Sequence, residues 1–100
     1  MQILIIKLGA IGDVIRTTTI LPGLKLKYKD CTIDWLTKKE SFDILKNNNA
    51  INEIFLIDKN AKNALKNKDY DLLINLDDDS KACELATETN HKKNIGAYLK

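Results

Sequence analysis

Short apolar runs alternate with longer amphipathic stretches along this 100-residue chain. Gln2–Leu8 (QILIIKL) is almost continuously apolar and rich in isoleucine, as a strand buried on both faces of a parallel sheet would be. Gly9-Ala10-Ile11-Gly12 follows as a turn. Asp13 then opens a helical pattern, with Val14, Thr17, Thr18, Leu21, Leu24 and Tyr28 at helical spacing. Pro22 removes an amide donor inside that pattern, which predicts a kink or break near Leu21. Further strands are predicted at Thr32–Leu36, Glu53–Ile57 and Asp71–Leu76, with a short fifth at Asn94–Ala97. Helices are predicted at Glu40–Lys46, at Lys62–Lys68, and from Ser80 as cap to about Glu88.

Strands and helices that alternate in this way require crossover connections and a parallel sheet. The expected architecture is α/β, a Rossmann-like sheet of order 3-2-1-4-5 in a single domain over residues 1–100. In that order the first and fourth strands are neighbours although two strands separate them in sequence. The crevice at their carboxyl ends is where open α/β sheets bind ligands.

Composition narrows the function. Hydrophobic residues make up 44% and charged residues 30%, as in an ordinary folded domain, and a net charge of +2 is no electrostatic footprint for nucleic acid. The lysines are spread along the chain as a solvated face would spread them. Cys31 and Cys83 form neither a CxxC pair nor a disulfide framework, which suits a reducing compartment. With the lone His91 they are still short of a zinc ligand set. No apolar run is long enough for a signal-peptide core or a membrane span, so the expected location is the cytoplasm.

The candidate chemistry gathers at the predicted crevice. The first strand delivers Gly9-Ala10-Ile11-Gly12-Asp13, where two glycines allow close approach of a ligand and the free amides of a helix start favour an anion. Asp13 reads two ways: as a helix N-cap, or as a carboxylate facing the crevice and able to take a proton from a substrate hydroxyl. The loop lacks the glycine spacing of a dinucleotide fingerprint and is not a phosphate-binding P-loop. The fourth strand delivers Asp77-Asp78-Asp79-Ser80. These acids suit either a divalent cation or a helix cap with solvated neighbours. Lys7 interrupts the first strand and needs a partner, Asp13 or the acidic trio. Arg16 lies one turn beyond Asp13. The threonines at 17–19 are expected to back-bond within the helix, Trp35 to lie in the core, and both cysteines to be small buried hydrophobes.

The segment ILIIKLGAIGDVIRTTTILPGLK (Ile3 to Lys25) resembles the opening of the glycosyltransferase family 9 heptosyltransferases. Lys7, Gly9, Ala10, Ile11, Gly12, Asp13, Val14, Leu21 and Pro22 fill that family's pattern. Ile33-Asp34-Trp35-Leu36, Asn49 to Ile54 and Tyr70 to Leu76 resemble its next three strands, so the resemblance runs through nearly the whole chain. It implies the N-terminal, acceptor-side part of a GT-B glycosyltransferase that inverts the anomeric centre without a metal. The family's catalytic base falls on Asp13. Lys7, Gly9, Ala10, Gly12, Arg16, Asp77 and Asp78 then become candidate substrate-binding residues. No cofactor is implied beyond a donor nucleotide sugar, ADP-heptose in this family, bound by a C-terminal domain to which nothing in these residues corresponds. The implied partners are that domain and a sugar or lipid-linked oligosaccharide acceptor of lipopolysaccharide assembly, with peripheral contact at the inner face of the cytoplasmic membrane. The chain alone is then expected to be inactive. Gly9-Ala10 stands where the family commonly has two serines, and Asp78-Asp79 where it often has Gln-Gly.

A reading from another class is a stand-alone flavodoxin- or receiver-like binding module, in which Asp13 and Asp77 form an acidic metal pocket.

Overall fold

The computed structural model describes residues 1–58, 60–77 and 79–96, with backbone only for residues 95 and 96. Five strands, β1 (Gln2–Ile6), β2 (Thr32–Thr37), β3 (Glu53–Leu56), β4 (Asp69–Asn75) and β5 (Asn90–Gly96), form one sheet of order β3-β2-β1-β4-β5. Every pairing is parallel. The order and direction match the expectation.

The isoleucine run of β1 is continuous because both of its faces are covered. Leu4, Ile6 and Leu8 pack with Leu36, Phe55 and Leu73 beneath α4 (Ala61–Leu65) and α5 (Ser80–Glu88). Ile3 and Ile5 pack with Ile33, Trp35, Leu72 and Ile74 on the opposite face. That second face is closed by α1 (Ile11–Thr17), α2 (Leu21–Lys27) and α3 (Lys39–Leu45), through Val14, Leu21 and Leu45. Trp35 is fully buried, and Cys31 and Cys83 are buried thiols.

The helical pattern that begins near Asp13 breaks where proline chemistry requires it. A 3-10 turn over Thr18–Ile20 separates α1 from α2, and Pro22 sits in the first turn of α2. There its missing amide is one of the helix's unpaired donors in any case. The threonine hydroxyls back-bond as expected, Thr17 to the Asp13 carbonyl, Thr18 to Ile15 and Thr19 to Arg16, at 2.6–2.7 Å.

Three local expectations are corrected. First, α1 starts two residues before Asp13: Ala10 is the N-cap and offers no side-chain acceptor. The Ala10 carbonyl accepts from the amides of both Asp13 and Val14, which starts the helical ladder there. Second, α5 is capped by Asp79, whose carboxylate accepts from the amides of Lys81 and Ala82, and not by Ser80. Third, β5 begins at Asn90, four residues earlier than expected, as a polar edge strand beside β4; charged and polar side chains on such a strand discourage edge-to-edge pairing. Its expected last residue, Ala97, lies outside the described residues.

Two carboxylates brace the sheet across its strands, Asp34 buried and Asp71 partly exposed. Asp34 on β2 accepts hydrogen bonds from Tyr70 Oη of β4 at 2.7 Å and from Asn52 Nδ2 at 3.1 Å. At the same end of β4, the partly exposed Asp71 accepts the Gln2 amide at 2.8 Å. Among the described residues no helix is long and apolar enough to cross a membrane.

Candidate functional site

β1 lies at the centre of the sheet and β4 beside it, so their carboxyl ends meet at the point where the strand order reverses. The ladder reaches just past the strands: Lys7 N donates to the Leu36 carbonyl at 3.1 Å and Leu76 N to the Ile6 carbonyl at 2.9 Å. Trp35 Nε1 approaches the Lys7 carbonyl at 3.4 Å. The backbone that enters the glycine loop is therefore held from both sides.

Asp77 continues that hold. Its Oδ2 accepts the amides of Leu8 at 2.9 Å and Gly9 at 3.0 Å, and its Oδ1 accepts the amide of Asp79 at 3.0 Å. Burial by itself would raise the Asp77 carboxyl. The amides of Asp79, Leu8 and Gly9, together with the nearby Lys7 ammonium, outweigh burial and hold the group below the usual carboxylate range. Asp77, expected to touch substrate, is thus engaged with backbone. It pins the loop after β1 to the loop after β4. Asn75, which sequence reasoning passed over, supports this arrangement: its Oδ1 accepts the Asp77 amide at 3.0 Å. The signal for it is an amide side chain at the end of an otherwise apolar strand, which is 1% exposed in the fold.

Lys7 is half-buried, and its Nζ donates to the Leu76 carbonyl at 3.2 Å. Of the carboxylates expected as its partner, Asp77 feels the Lys7 charge, while the hydrogen bond of the ammonium goes to this carbonyl and its end group lies over Gly9. A Cβ at Gly9 would stand 3.3 Å from Lys7 Cε, 3.4 Å from Nζ and 3.7 Å from Asp13 Cβ. Lys7, Gly9 and Asp13 therefore converge on one small region. At Gly12 a Cβ would meet nothing within 4 Å, so no packing inside the chain demands glycine there. The open space lies on the first turn of α1, beside Asp13.

Asp13 is the third residue of α1, with its side chain about half exposed. It is not the cap, so the cap explanation for its presence does not hold. Its Oδ1 accepts from the Arg16 guanidinium at 2.8 Å. Its Oδ2 has no hydrogen-bond partner among the described residues. Arg16 is exposed, so the ion pair is screened; its effect is to orient the carboxylate. Ala10 is exposed as well and adds only backbone. Asp78 lies outside the described residues. Among the described residues no three histidine, cysteine, aspartate or glutamate side chains are grouped to hold a metal ion.

No protein-family model matches the chain. Over 57 residues it is 35% identical to lipopolysaccharide heptosyltransferase 1 of Campylobacter coli, a match that covers 57% of this chain and 17% of that protein. Among solved structures its fold superposes on the glycosyl transferase family 9 protein of Veillonella parvula with a TM-score of 0.85 at 20% identity, covering 95% of this chain and 32% of that one. E. coli heptosyltransferase WaaC with ADP gives 0.83 at 21% identity, covering 95% and 36%. E. coli ADP-heptose lps heptosyltransferase II gives 0.84 at 20% identity, covering 96% and 30%. The chain thus spans about a third of the solved chains it matches and less of the curated relative. The resemblance to family 9 heptosyltransferases is present both in sequence and in fold.

Proposed function

We propose that this chain is the acceptor-side portion of an inverting glycosyltransferase of the heptosyltransferase kind, and that Asp13 is its general base. The observation that supports this most directly is the Asp13 carboxylate. It is exposed at the mouth of the β1–β4 crevice, steered by Arg16 through one oxygen and open at the other. In the reaction, an acceptor hydroxyl oxygen attacks the anomeric carbon of the donor sugar. The bond from that carbon to the leaving diphosphate oxygen breaks, and the nucleoside diphosphate departs with the electron pair. The hydroxyl proton passes to Asp13, whose basicity suffices because the hydroxyl becomes acidic as the new bond forms. Inversion follows from attack opposite the leaving group.

The chain's own residues prepare this step. Asp77 and Asn75 fix the loop through its backbone amides, so Asp13 starts from a defined position. Gly12 leaves open space on the first turn of α1, while the space over Gly9 is taken by the end of the Lys7 side chain. Lys7 and Arg16 place positive charge where an anionic acceptor substituent would approach. The donor, ADP-heptose in this proposal, is held by a further domain, so the 100 residues alone transfer nothing. Work on a lipid-linked acceptor places the protein at the cytoplasmic face of the membrane.

The test is a chimera in which this chain replaces the matching portion of the Campylobacter coli enzyme, assayed for ADP release from ADP-heptose. Acceptor-dependent release that Asp13→Asn lowers about a hundredfold or more, with folding intact, is the expected result. Near wild-type release by a folded Asp13→Asn chimera would remove Asp13 from the chemistry.

A further inference from the structure

From Ile11 to Lys27 the chain follows one right-handed helical path, α1, the 3-10 turn and α2 in succession, with every junction residue in the αR region. Val14 and Leu21 are buried on its inner side, and Ile20, Leu24 and Tyr28 pack against the same core. On the other side Ile11, Ile15, Thr19, Pro22 and Leu26 recur every three or four positions, and all of them are exposed. That ridge carries no charge. Leu26 at 78% and Ile15 at 49% are the two most exposed large apolar side chains among the described residues, and Ile11 stands at 45%. A single exposed apolar residue is ordinary, but a row of them along one helical path marks a contact surface.

The charges beside the ridge select what it touches. Arg16 is paired with Asp13 at the start. At the far end Lys25, Lys27 and Lys29 flank Leu26 in the chain, and among the described residues none of them pairs with a carboxylate. The Lys25 ammonium donates to the Cys31 carbonyl at 2.7 Å, and that of Lys27 lies 5.4 Å from the centre of the Tyr28 ring. The helix dipole favours cations at this end, but it gives no reason for an exposed leucine among them. An uncharged apolar ridge bordered by lysines suits a helix lying in a bilayer interface, with its apolar side chains at the acyl boundary and its ammonium groups on anionic headgroups. A second copy seated ridge to ridge brings Asp13 as the only acid of the helical run, and Arg16 already holds it. We infer that this ridge docks on an anionic phospholipid surface. The proposed function puts the protein at a membrane, and the ridge names the face that touches it. The inference rests on that reading for its purpose alone. α1 follows the loop after β1 and carries Asp13 in its first turn, so docking along the ridge brings the crevice to the headgroups, where a lipid-linked acceptor stands.

The test is co-sedimentation of the 100-residue chain with vesicles of phosphatidylcholine alone and with vesicles that contain about a third phosphatidylglycerol. The expected result is binding to the anionic vesicles about tenfold tighter or more than to the neutral ones. It should fall about tenfold or more in Ile15→Ser/Leu26→Ser, and likewise in Lys27→Gln/Lys29→Gln. All four positions are exposed, and circular dichroism with a denaturation midpoint checks the fold of each variant. A second measurement keeps the apolar character of the ridge. Brominated lipid should quench the emission of Leu26→Trp and leave that of Phe42→Trp, on α3, unchanged. No vesicle binding, equal binding to both vesicles, unchanged binding in either double variant, or equal quenching at the two positions would each overturn the inference. Dimerisation that Leu26→Ser abolishes, without vesicle binding, would assign the ridge to a second copy and overturn it too. The chimera separates the two proposals. Transfer that depends on Asp13, with no vesicle binding by the chain, sinks the docking ridge and leaves the glycosyltransferase standing. Ridge-dependent vesicle binding with an inactive chimera does the reverse.

Discussion

Asp77 Oδ2 stands 3.0 Å from the backbone nitrogen of Gly9, so a side chain from the end of β4 holds the loop that leaves β1. The bond joins the two halves of the sheet at the place where the candidate base is presented. It also accounts for an acidic residue at this crevice without a ligand.

Asp77→Ala should therefore cost stability as well as order. Two loop amides and the Asp79 amide lose their acceptor, which predicts a loss of about 1–3 kcal/mol in chemical denaturation. Asp77→Asn should lose less, since its amide oxygen can still accept from part of the set.

The same carboxylate predicts an acid limb. Its folded-state value lies below that of the unfolded chain, so its stabilisation is complete above the ordinary carboxylate value of about 4 and disappears as pH falls through the folded value. Wild type should lose stability more steeply than Asp77→Asn over that range. Parallel curves in acid denaturation would contradict this.

Asp13→Asn should leave stability within about 1 kcal/mol of wild type, because the ion pair it breaks is exposed. Its effect belongs to catalysis, where the chimera assay reads it. A large stability loss would identify Asp13 as a structural residue.

Gly9→Ala inserts a methyl group against Lys7 Cε and Nζ, the mobile end of a flexible side chain. Stability should change by about 0.5 kcal/mol or less. The Lys7 end group must give by a few tenths of an ångström, which loosens its bond to the Leu76 carbonyl beside Asp13. Transfer by the chimera should fall while its denaturation midpoint holds.

Tyr70→Phe removes the shorter of the two hydrogen bonds to the buried Asp34 carboxylate. The expected cost is about 1–3 kcal/mol, or roughly 4–8 °C of Tm for each kcal/mol in a domain of this size. Burial, then the hydrogen bond and charge of Asp34 and the charge of Glu53, push the Tyr70 phenol well above its usual value. A raised folded value contributes stability that is present below the unfolded value of about 10 and is lost as pH rises beyond it. Wild type should therefore unfold more readily in alkali, and Tyr70→Phe should flatten that dependence.

Much of the architecture was legible because its signals are local. An isoleucine run without alternation means two covered faces, and that places β1 inside the sheet. Regular strand–helix alternation then leaves few topologies. Pro22 marked the break between α1 and α2 through its own missing amide. The helix starts were misread, Ala10 standing as cap where Asp13 was expected and Asp79 where Ser80 was, each decided by which carbonyl or carboxylate meets the first amides; the start of β5 was missed because its polar edge sequence carries no apolar run.

Taken alone, the order of residues determined a central parallel strand, a glycine turn after it, and an acid and a base one helical turn apart on the helix that follows. These depend on periodicity and on contacts within a few positions. Only the tertiary structure decided that Asp77 serves the backbone and that Lys7 rests on the Leu76 carbonyl. Leu8 and Asp77 are 69 residues apart in the chain. A hydrogen bond over that span has no signature in local pattern, and it exists because packing both faces of β1 brings β4 alongside it.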